Sequence, residues 1–320
     1  MRIGQGLAIF VLAASLNPAC GQAQTASPYA SVVSPYGLAI DGANNLYAST
    51  FSGVPNNVGG QIQEVPAGGG SVITIATGQV TPTMVALQGG NLYESHQAGG
   101  NVLFSVVSQI TLPAGTVTNY TTAGSPALDN PAGLAFDGSG NLYVADNGDG
   151  NIYKYPPGGG DGQLFATLPS GAVGLVFDGT NFYAASTGIG VVSKITLGGT
   201  VSTFLSGTIA TPAGLVLDGA GNLFVSDQGQ NIIYKVTPAA EVSVYYSGAS
   251  LNAPVGLAFD GAGNLYVANN GSDAGVNSII RIAPPEAQIP TLTGWATILM
   301  GALIAGSAIR ALRRRSPRLS

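Results

Sequence analysis

Four polar residues occupy matched points of a repeated motif, and their side chains are suited to binding a ligand or a cation. They are His96, Asp146, Asp227 and Asn269. Carboxylate and amide oxygens suit Ca²⁺, so Asp146, Asp227 and Asn269 form a candidate metal set, while all four form a candidate ligand set. The alternative is that the Asp and Asn side chains cap neighbouring turns. We expect no catalytic residue, because nothing marks a nucleophile beside Glu94 and His96, the only histidine.

The repeated motif is a hairpin of two short strands, most complete at 133–146 as GLAFDGSGNLYVAD. Six copies begin at Gly37, Met84, Gly133, Gly174, Gly214 and Gly256. The copy at Met84 is degenerate, with Gln88-Gly89-Gly90 in place of the Asp-Gly turn, which is otherwise a strong hairpin signal. Each candidate residue ends the second strand of its hairpin, on the side where the first strand begins. We therefore expect the candidates around one mouth of a central channel.

The spacing of the copies, 40 to 49 residues, predicts an all-β fold, a six-bladed β-propeller with four strands in each blade. Only five outermost strands follow the hairpins, so we predict that Tyr29–Val33 supplies the outer strand of the last blade and closes the ring without a seam. The Asp residues of the turns are expected to bind backbone N–H groups, and the hairpin aromatics to pack between blades; the Asp residues are Asp41, Asp137, Asp178, Asp218 and Asp260.

Charged residues make up only 8% of the 320 residues, and five of the ten basic residues lie in the last eleven positions. The body is therefore acidic, which excludes nucleic acid as a partner, since binding it requires a field of Lys and Arg. The single cysteine, Cys20, excludes an internal disulfide and a Cys-based metal site. We expect no cofactor, with Ca²⁺ reserved for the metal alternative.

Both ends of the chain predict export. Residues 1–23 have the basic start, short apolar run and small-residue exit of a signal peptide, and lipidation of Cys20 remains an alternative. A propeller at 24–283 and a linker at 284–288 precede a tail at 289–320. In that tail, residues 294–309 lack charge and precede an arginine cluster, which predicts a transmembrane helix with its basic end in the cytoplasm.

Two family resemblances add to these predictions. The pattern Pro-x-Gly-Leu-Ala-x-Asp followed by Gly-Asn-Leu-Tyr-Val-Ala-Asp resembles NHL-repeat and gluconolactonase-like propellers. The resemblance implies the six-bladed fold over about residues 27–283 and, in the second family, a divalent metal held partly by a glutamate at the start of an innermost strand. No hairpin begins with a glutamate here, which weakens the enzymatic interpretation.

The tail resembles IPTL-type C-terminal sorting signals of Gram-negative bacteria. The residues that carry this resemblance are Ile289, Pro290, Thr291, Leu292, Trp295, Arg313, Arg314 and Arg315. It implies recognition by an exosortase-like processing enzyme in the membrane. We therefore predict an exported, membrane-anchored and then surface-sorted or released propeller, a non-enzymatic binding or scaffold module whose ligand is an envelope polysaccharide or a protein. The alternative is a metal-dependent gluconolactonase-like hydrolase acting at the channel mouth.

Overall fold

The computed structural model describes residues 24–50, 58–97, 105–271 and 278–285, and within them the fold is all-β. A compact unit runs from Gln24 to Pro284. It contains six four-stranded antiparallel sheets, which confirms the predicted six-bladed propeller. The described residues also include one 3-10 turn, Thr187–Ile189. None of their helices is long and apolar enough to cross a membrane.

The blades are numbered in chain order, and their strands are given from the innermost to the outermost. Blade 1 contains β2 (Pro35–Ile40), β3 (Leu46–Thr50), β4 (Val58–Val65) and β5 (Ile73–Val80). Blade 2 contains β6 (Pro82–Gln88), β7 (Asn91–His96), β8 (Val107–Thr111) and β9 (Thr116–Asn119). Blade 3 contains β10 (Pro131–Phe136), β11 (Leu142–Asp146), β12 (Asn151–Tyr155) and β13 (Gln163–Thr167).

The second half of the ring repeats this order. Blade 4 contains β14 (Gly174–Phe177), β15 (Asn181–Ser186), β16 (Val191–Thr196) and β17 (Val201–Ser206). Blade 5 contains β18 (Pro212–Leu217), β19 (Leu223–Asp227), β20 (Ile232–Val236) and β21 (Val242–Tyr246). Blade 6 contains β22 (Pro254–Phe259), β23 (Leu265–Asn269), β24 (Ser278–Ile282) and, from the start of the chain, β1 (Ala26–Ala30).

The ring is closed by its first strand, as predicted, but the strand begins earlier than predicted. β1 pairs with β24, with Ala26 opposite Ile282 and Pro28 opposite Ile280. The β-branched residues at 29–33 favoured a strand at Tyr29–Val33, yet the observed strand ends at Ala30. β1 is an edge strand, where a proline is tolerated because its missing N–H faces away from the ladder. Pro28 therefore does not prevent the strand from starting at Ala26.

The hairpin turns form as the sequence predicts. In blade 3, Asp137 Oδ1 accepts hydrogen bonds from the backbone N–H groups of Ser139 and Asn141, each at 2.9 Å. Asp137 Oδ2 accepts from Asn141 Nδ2 at 2.7 Å and from the Tyr143 hydroxyl at 3.2 Å. Partial burial acts to raise the pKa of Asp137, but these bonds outweigh it and the pKa lies below its ordinary value.

Packing between blades depends on the hairpin aromatics and on one close backbone approach. The rings of Tyr143 and Phe182, in neighbouring blades, lie 4.2 Å apart, which confirms the predicted aromatic contact. A Cβ added at Gly133 would lie 2.7 Å from the backbone nitrogen of Leu175 in blade 4. Glycine at this position therefore allows neighbouring inner strands to pack closely.

The six innermost strands contact one another in sequence around a narrow apolar channel. A cavity of about 50 Å³ lies on the channel axis. Its lining includes one aliphatic side chain from each inner strand: Leu38, Val85, Leu134, Leu175, Leu215 and Leu257. At one end Tyr36 packs against Met84, Val173, Ala213 and Val255. These side chains therefore place no polar group in the channel.

The predicted signal peptide (1–23), the transmembrane helix (294–309) and the rest of the tail (289–320) lie outside the described residues. The structure of these segments therefore stays a prediction.

Candidate functional site at one face of the propeller

The strand pairing places the four candidate residues at the same end of the propeller. His96 lies opposite Pro82, and Asp146 lies opposite Pro131, so each candidate ends its strand where the inner strand begins. Asp227 and Asn269 have the same relation to the prolines that open β18 and β22. All four side chains are nonetheless buried, and three of them have no exposed surface: Asp146, Asp227 and Asn269. Their oxygens are directed into the protein.

Asp146 binds backbone N–H groups of two loops. Its Oδ2 accepts a hydrogen bond from Asp129 N at 2.7 Å, and its Oδ1 accepts from Asn130 N and Gly148 N, each at 2.9 Å. Burial raises the pKa of Asp146 even though the three hydrogen bonds act to lower it. Asp146 thus joins the loop that precedes β10 to the turn that follows β11.

Asp227 and Asn269 act in the same way in blades 5 and 6. Asp227 Oδ2 accepts from Ala210 N at 2.8 Å, and Oδ1 accepts from the Thr211 hydroxyl at 2.6 Å and from Gln230 N at 2.9 Å. Asn269 accepts from Asn252 N at 3.1 Å and donates to a backbone carbonyl at 2.7 Å. Through these hydrogen bonds, Asp227 and Asn269 each cap the loop that precedes the inner strand of their blade.

The candidate metal set is distributed over blades 3, 5 and 6. Among the described residues, no three His, Cys, Asp or Glu side chains lie together in an arrangement that would hold a metal ion. Each oxygen of Asp146 and Asp227 already accepts a hydrogen bond from the chain. A metal at these residues stays a prediction, and it would require these caps to open.

His96 differs from the other three candidates, because it lies beside a buried carboxylate. His96 Nε2 is 3.0 Å from Glu94 Oε1, and Glu94 has no exposed surface. The contact lacks the geometry of a hydrogen bond, and neither Glu94 oxygen nor His96 Nε2 has a hydrogen-bond partner among the described residues. The corresponding residue in blade 3 is Val144, a core residue. Blade 2 therefore has Glu94 and His96 where blade 3 has the hydrocarbon side chain of Val144 and the hydrogen-bonded carboxylate of Asp146.

A cavity of about 200 Å³ opens on the same face, where blades 1, 2 and 6 meet. The described residues that line it are Tyr36, Thr81, Pro82, Thr83, Gln97 and Asn270, and none of them carries a charge. Gln97 and Asn270 directly follow the predicted His96 and Asn269. His96 and Asn269 thus lie at the face on which the cavity opens, but the residues that line the cavity are their neighbours Gln97 and Asn270.

This cavity was not predicted, although the sequence contains a signal for it. The residue directly before the first glycine of the hairpin motif is small and apolar in four blades: Ala132, Val173, Ala213 and Val255. Blades 1 and 2 have Tyr36 and Thr83 at this point. A comparison of the copies at this position, and not only at the strand ends, would have identified both polar residues.

At the residue before the inner strand, a strained backbone occurs in the same three blades. Ser34, Thr81 and Ala253 each precede the proline that opens an inner strand, and their φ angles are +47°, +42° and +47°. Positive φ is costly for residues other than glycine and most of all for a β-branched residue such as Thr81. The corresponding residues of blades 3 and 5, Asn130 and Thr211, do not have positive φ. Strain therefore accompanies the blades that form the cavity.

One comparison identifies the tail. Residues 287–315 match the profile of the IPTL-CTERM motif, a C-terminal sorting signal. This match confirms the prediction made from Ile289–Leu292, Trp295 and Arg313–Arg315, and such a signal indicates export and sorting to the surface. No curated protein matches the sequence.

Solved structures similar to this chain share its fold at low sequence identity. A Bacteroides thetaiotaomicron protein of unknown function has a TM-score of 0.66 and 17% identity, covering 82% of this chain and 76% of that one. A gluconolactonase from Xanthomonas campestris has a TM-score of 0.65 and 16% identity, covering 81% and 89%. Virginiamycin B lyase from Staphylococcus aureus has a TM-score of 0.59 and 15% identity, covering 82% and 99%. The two named enzymes differ in activity and the identities are low, so the likeness concerns the fold alone.

Proposed function

We propose that this chain is exported, sorted through its C-terminal tail by an exosortase-like enzyme, and displayed at the cell surface as a non-enzymatic binding or scaffold module. Before processing, the tail would anchor the propeller in the cytoplasmic membrane on its outer side. The observation that carries the non-enzymatic part is the bonding of Asp146 and Asp227. Their carboxylate oxygens cap loops of the propeller, so the acidic residues at the mouth serve the fold.

Export and sorting are tested by fractionation with sequencing of both ends of the protein. After expression of the complete chain, the protein is expected in the surface or released fraction, with a new N-terminus near Gln24 and a trimmed C-terminus. A variant with Pro290→Ala and Thr291→Ala changes the sorting motif but not the propeller, and it should accumulate untrimmed in the cytoplasmic membrane. Cytoplasmic retention of the wild-type chain would contradict the proposal.

A second candidate function is a metal-dependent gluconolactonase-like hydrolase. Two observations favour it: the gluconolactonase among the similar structures, and the Glu94–His96 pair, which has the composition of a general base. The decisive measurements are hydrolysis of D-glucono-1,5-lactone and thermal stability during titration with Ca²⁺ or Zn²⁺. A metal bound only to the native state raises Tm by mass action.

The two functions predict opposite results in that experiment. A binding or scaffold module should show no lactone hydrolysis and no metal-dependent rise in Tm. Metal-dependent hydrolysis that disappears in the Asp146→Asn, Asp227→Asn double variant would establish the hydrolase and overturn the proposal. The Asn substitutions retain side-chain size and one acceptor oxygen, so they disturb the caps less than alanine does.

A further inference from the structure

The cavity between blades 1, 2 and 6 has polar groups without partners. The Thr81 hydroxyl is buried and makes no hydrogen bond within the described residues. The Tyr36 hydroxyl lies in the same wall, and burial, with no hydrogen bond to offset it, raises its pKa. A buried hydroxyl without a partner is unfavourable relative to a satisfied one. A ligand that supplied these bonds would therefore recover free energy that the unoccupied fold loses.

The other polar groups of the cavity are primary amides. Asn270 Nδ2 donates to Pro35 O at 3.2 Å, which fixes the amide and leaves its oxygen available as an acceptor. Gln97 is held through its backbone, since its N–H donates to Thr81 O at 3.2 Å. Hydroxyls and primary amides both donate and accept. The cavity thus presents groups of mixed polarity on a backbone that is fixed by hydrogen bonds.

The charge and shape of the cavity restrict the class of ligand. No Asp, Glu, Lys, Arg or His is among the described residues that line it, so a charged ligand would lose hydration without gaining a counter-ion. Tyr36 and Pro82 supply apolar surface beside the polar groups. At about 200 Å³, the cavity is smaller than the roughly 300–1,000 Å³ typical of drug-sized ligands. A single compact ring with several hydroxyl groups fits this description.

From these features we propose that the cavity lined by Tyr36, Thr81, Gln97 and Asn270 binds one neutral sugar ring of a polysaccharide. The sugar hydroxyls bond Thr81, Tyr36 and the two amides, and an apolar face of the ring lies against Tyr36 and Pro82. Thr81 lines the cavity and has a positive φ, and strained residues of this kind recur at ligand sites. The proposal deepens the binding role given above and rests on it.

The test is saturation-transfer NMR on the full-length protein as purified, with D-glucose, D-galactose, D-mannose and N-acetyl-D-glucosamine as neutral probes. At least one of them should receive saturation, and D-glucuronate should receive less because it is charged. Tyr36→Phe removes only a hydroxyl and should weaken binding about fivefold, the equivalent of one hydrogen bond. Gln97→Ala should weaken it as well. The matched control is Tyr245→Phe, since Tyr245 packs against Phe224 in the blade 5–6 core and lies away from the cavity.

Three results would overturn the sugar site: no saturation of any neutral probe, binding that neither Tyr36→Phe nor Gln97→Ala weakens, or saturation of an uncharged capped alanine peptide in place of the sugars. None of them would affect the proposed surface function, which depends on fractionation and on the absence of lactone hydrolysis. Conversely, metal-dependent hydrolysis would overturn the surface function even if a sugar bound.

Discussion

Blades 3 and 2 have the same four-stranded architecture but use three equivalent positions differently. Blade 3 has Gly133, Val144 and Asp146, which allow close backbone packing, fill the core and cap a loop. At the same positions blade 2 has Met84, Glu94 and His96. The Asp-Gly turn of blade 3 is also replaced in blade 2, by Gln88-Gly89-Gly90.

Blade 3 follows the rules of the repeat, whereas blade 2 departs from them by placing polar side chains at buried positions. Burying the Glu94 carboxylate with neither oxygen hydrogen-bonded within the described residues opposes stability. Departures of this kind are expected where a protein serves a function at the expense of local order. Blade 2 also contributes Thr81, Thr83 and Gln97 to the cavity, which lies at the His96 end of the β6–β7 hairpin and not at its Gln88-Gly89-Gly90 turn.

The largest expected effect is the loss of the blade 3 cap. Asp146→Ala leaves three backbone N–H donors without their acceptor, and we expect the free energy of unfolding to fall by about 3 kcal/mol or more. Urea unfolding monitored by tyrosine fluorescence measures it. Thr50→Ala is the matched control in blade 1, because within the described part of the chain Thr50 Oγ1 makes one long bond, of 3.4 Å to Gln61 O. Equal losses of unfolding free energy in the two variants would contradict the role of Asp146 as a loop cap.

The next effect concerns the close approach at Gly133. Gly133→Ala places a Cβ 2.7 Å from Leu175 N, and relieving that overlap should cost about 1–3 kcal/mol in the urea-unfolding measurement. Gly138→Ala is the control in the same blade, since a Cβ there meets no atom within 4 Å. If both variants unfold like the wild type, the spacing of the inner strands does not depend on glycine. The presence of Met84 at this position of blade 2 would then require no different packing.

The two blades also differ in how far the sequence alone predicts them. The hairpin of blade 3 is predictable because Asp137, Gly138 and alternating apolar residues determine a local turn, and the 40–49 residue period determines the ring. The closing strand was predicted in the correct sheet but placed too late, since β-propensity does not show which residues at an edge will pair. Alternation shows on which face of a blade a side chain lies, but it does not distinguish the channel from a neighbouring loop. For that reason the sequence predicts the end of the propeller at which Asp146 lies, but it does not show that its oxygens cap loops, and it does not single out Tyr36 or Gln97.

A third effect should have the opposite sign. Glu94→Val gives blade 2 the residue that blade 3 has at this point, and we expect the free energy of unfolding to rise by about 1–3 kcal/mol, because the desolvation cost of a buried carboxylate without hydrogen bonds in the described residues is removed. Glu94→Gln is the control, since it keeps the shape and leaves a buried amide, so no comparable gain is expected. A loss of stability in Glu94→Val would show that the Glu94–His96 pair holds the blade together.

The smallest effect is a difference in acid sensitivity between the hairpin turns. Hydrogen bonds outweigh partial burial and lower the pKa of five turn carboxylates below their usual value, those of Asp41, Asp137, Asp178, Asp218 and Asp260. A depressed folded-state pKa gives stability that is present above the unfolded-state pKa, here 3.8, and is lost as pH falls through the folded-state pKa. The Gln88-Gly89-Gly90 turn of blade 2 has no titrating group and contributes nothing to this loss.

We therefore expect the urea midpoint to fall between about pH 5 and pH 3, and Asp137→Asn to reduce that fall slightly, because one of the five contributions is absent. Asp146 should behave in the opposite way, since burial raises its pKa and protonation then favours the folded state as pH falls through that raised value. Asp146→Asn removes this gain and should make the fall steeper. Midpoints measured across the pH range for the two variants test both signs, and a shift of both in the same direction would contradict the distinction between turn and cap carboxylates.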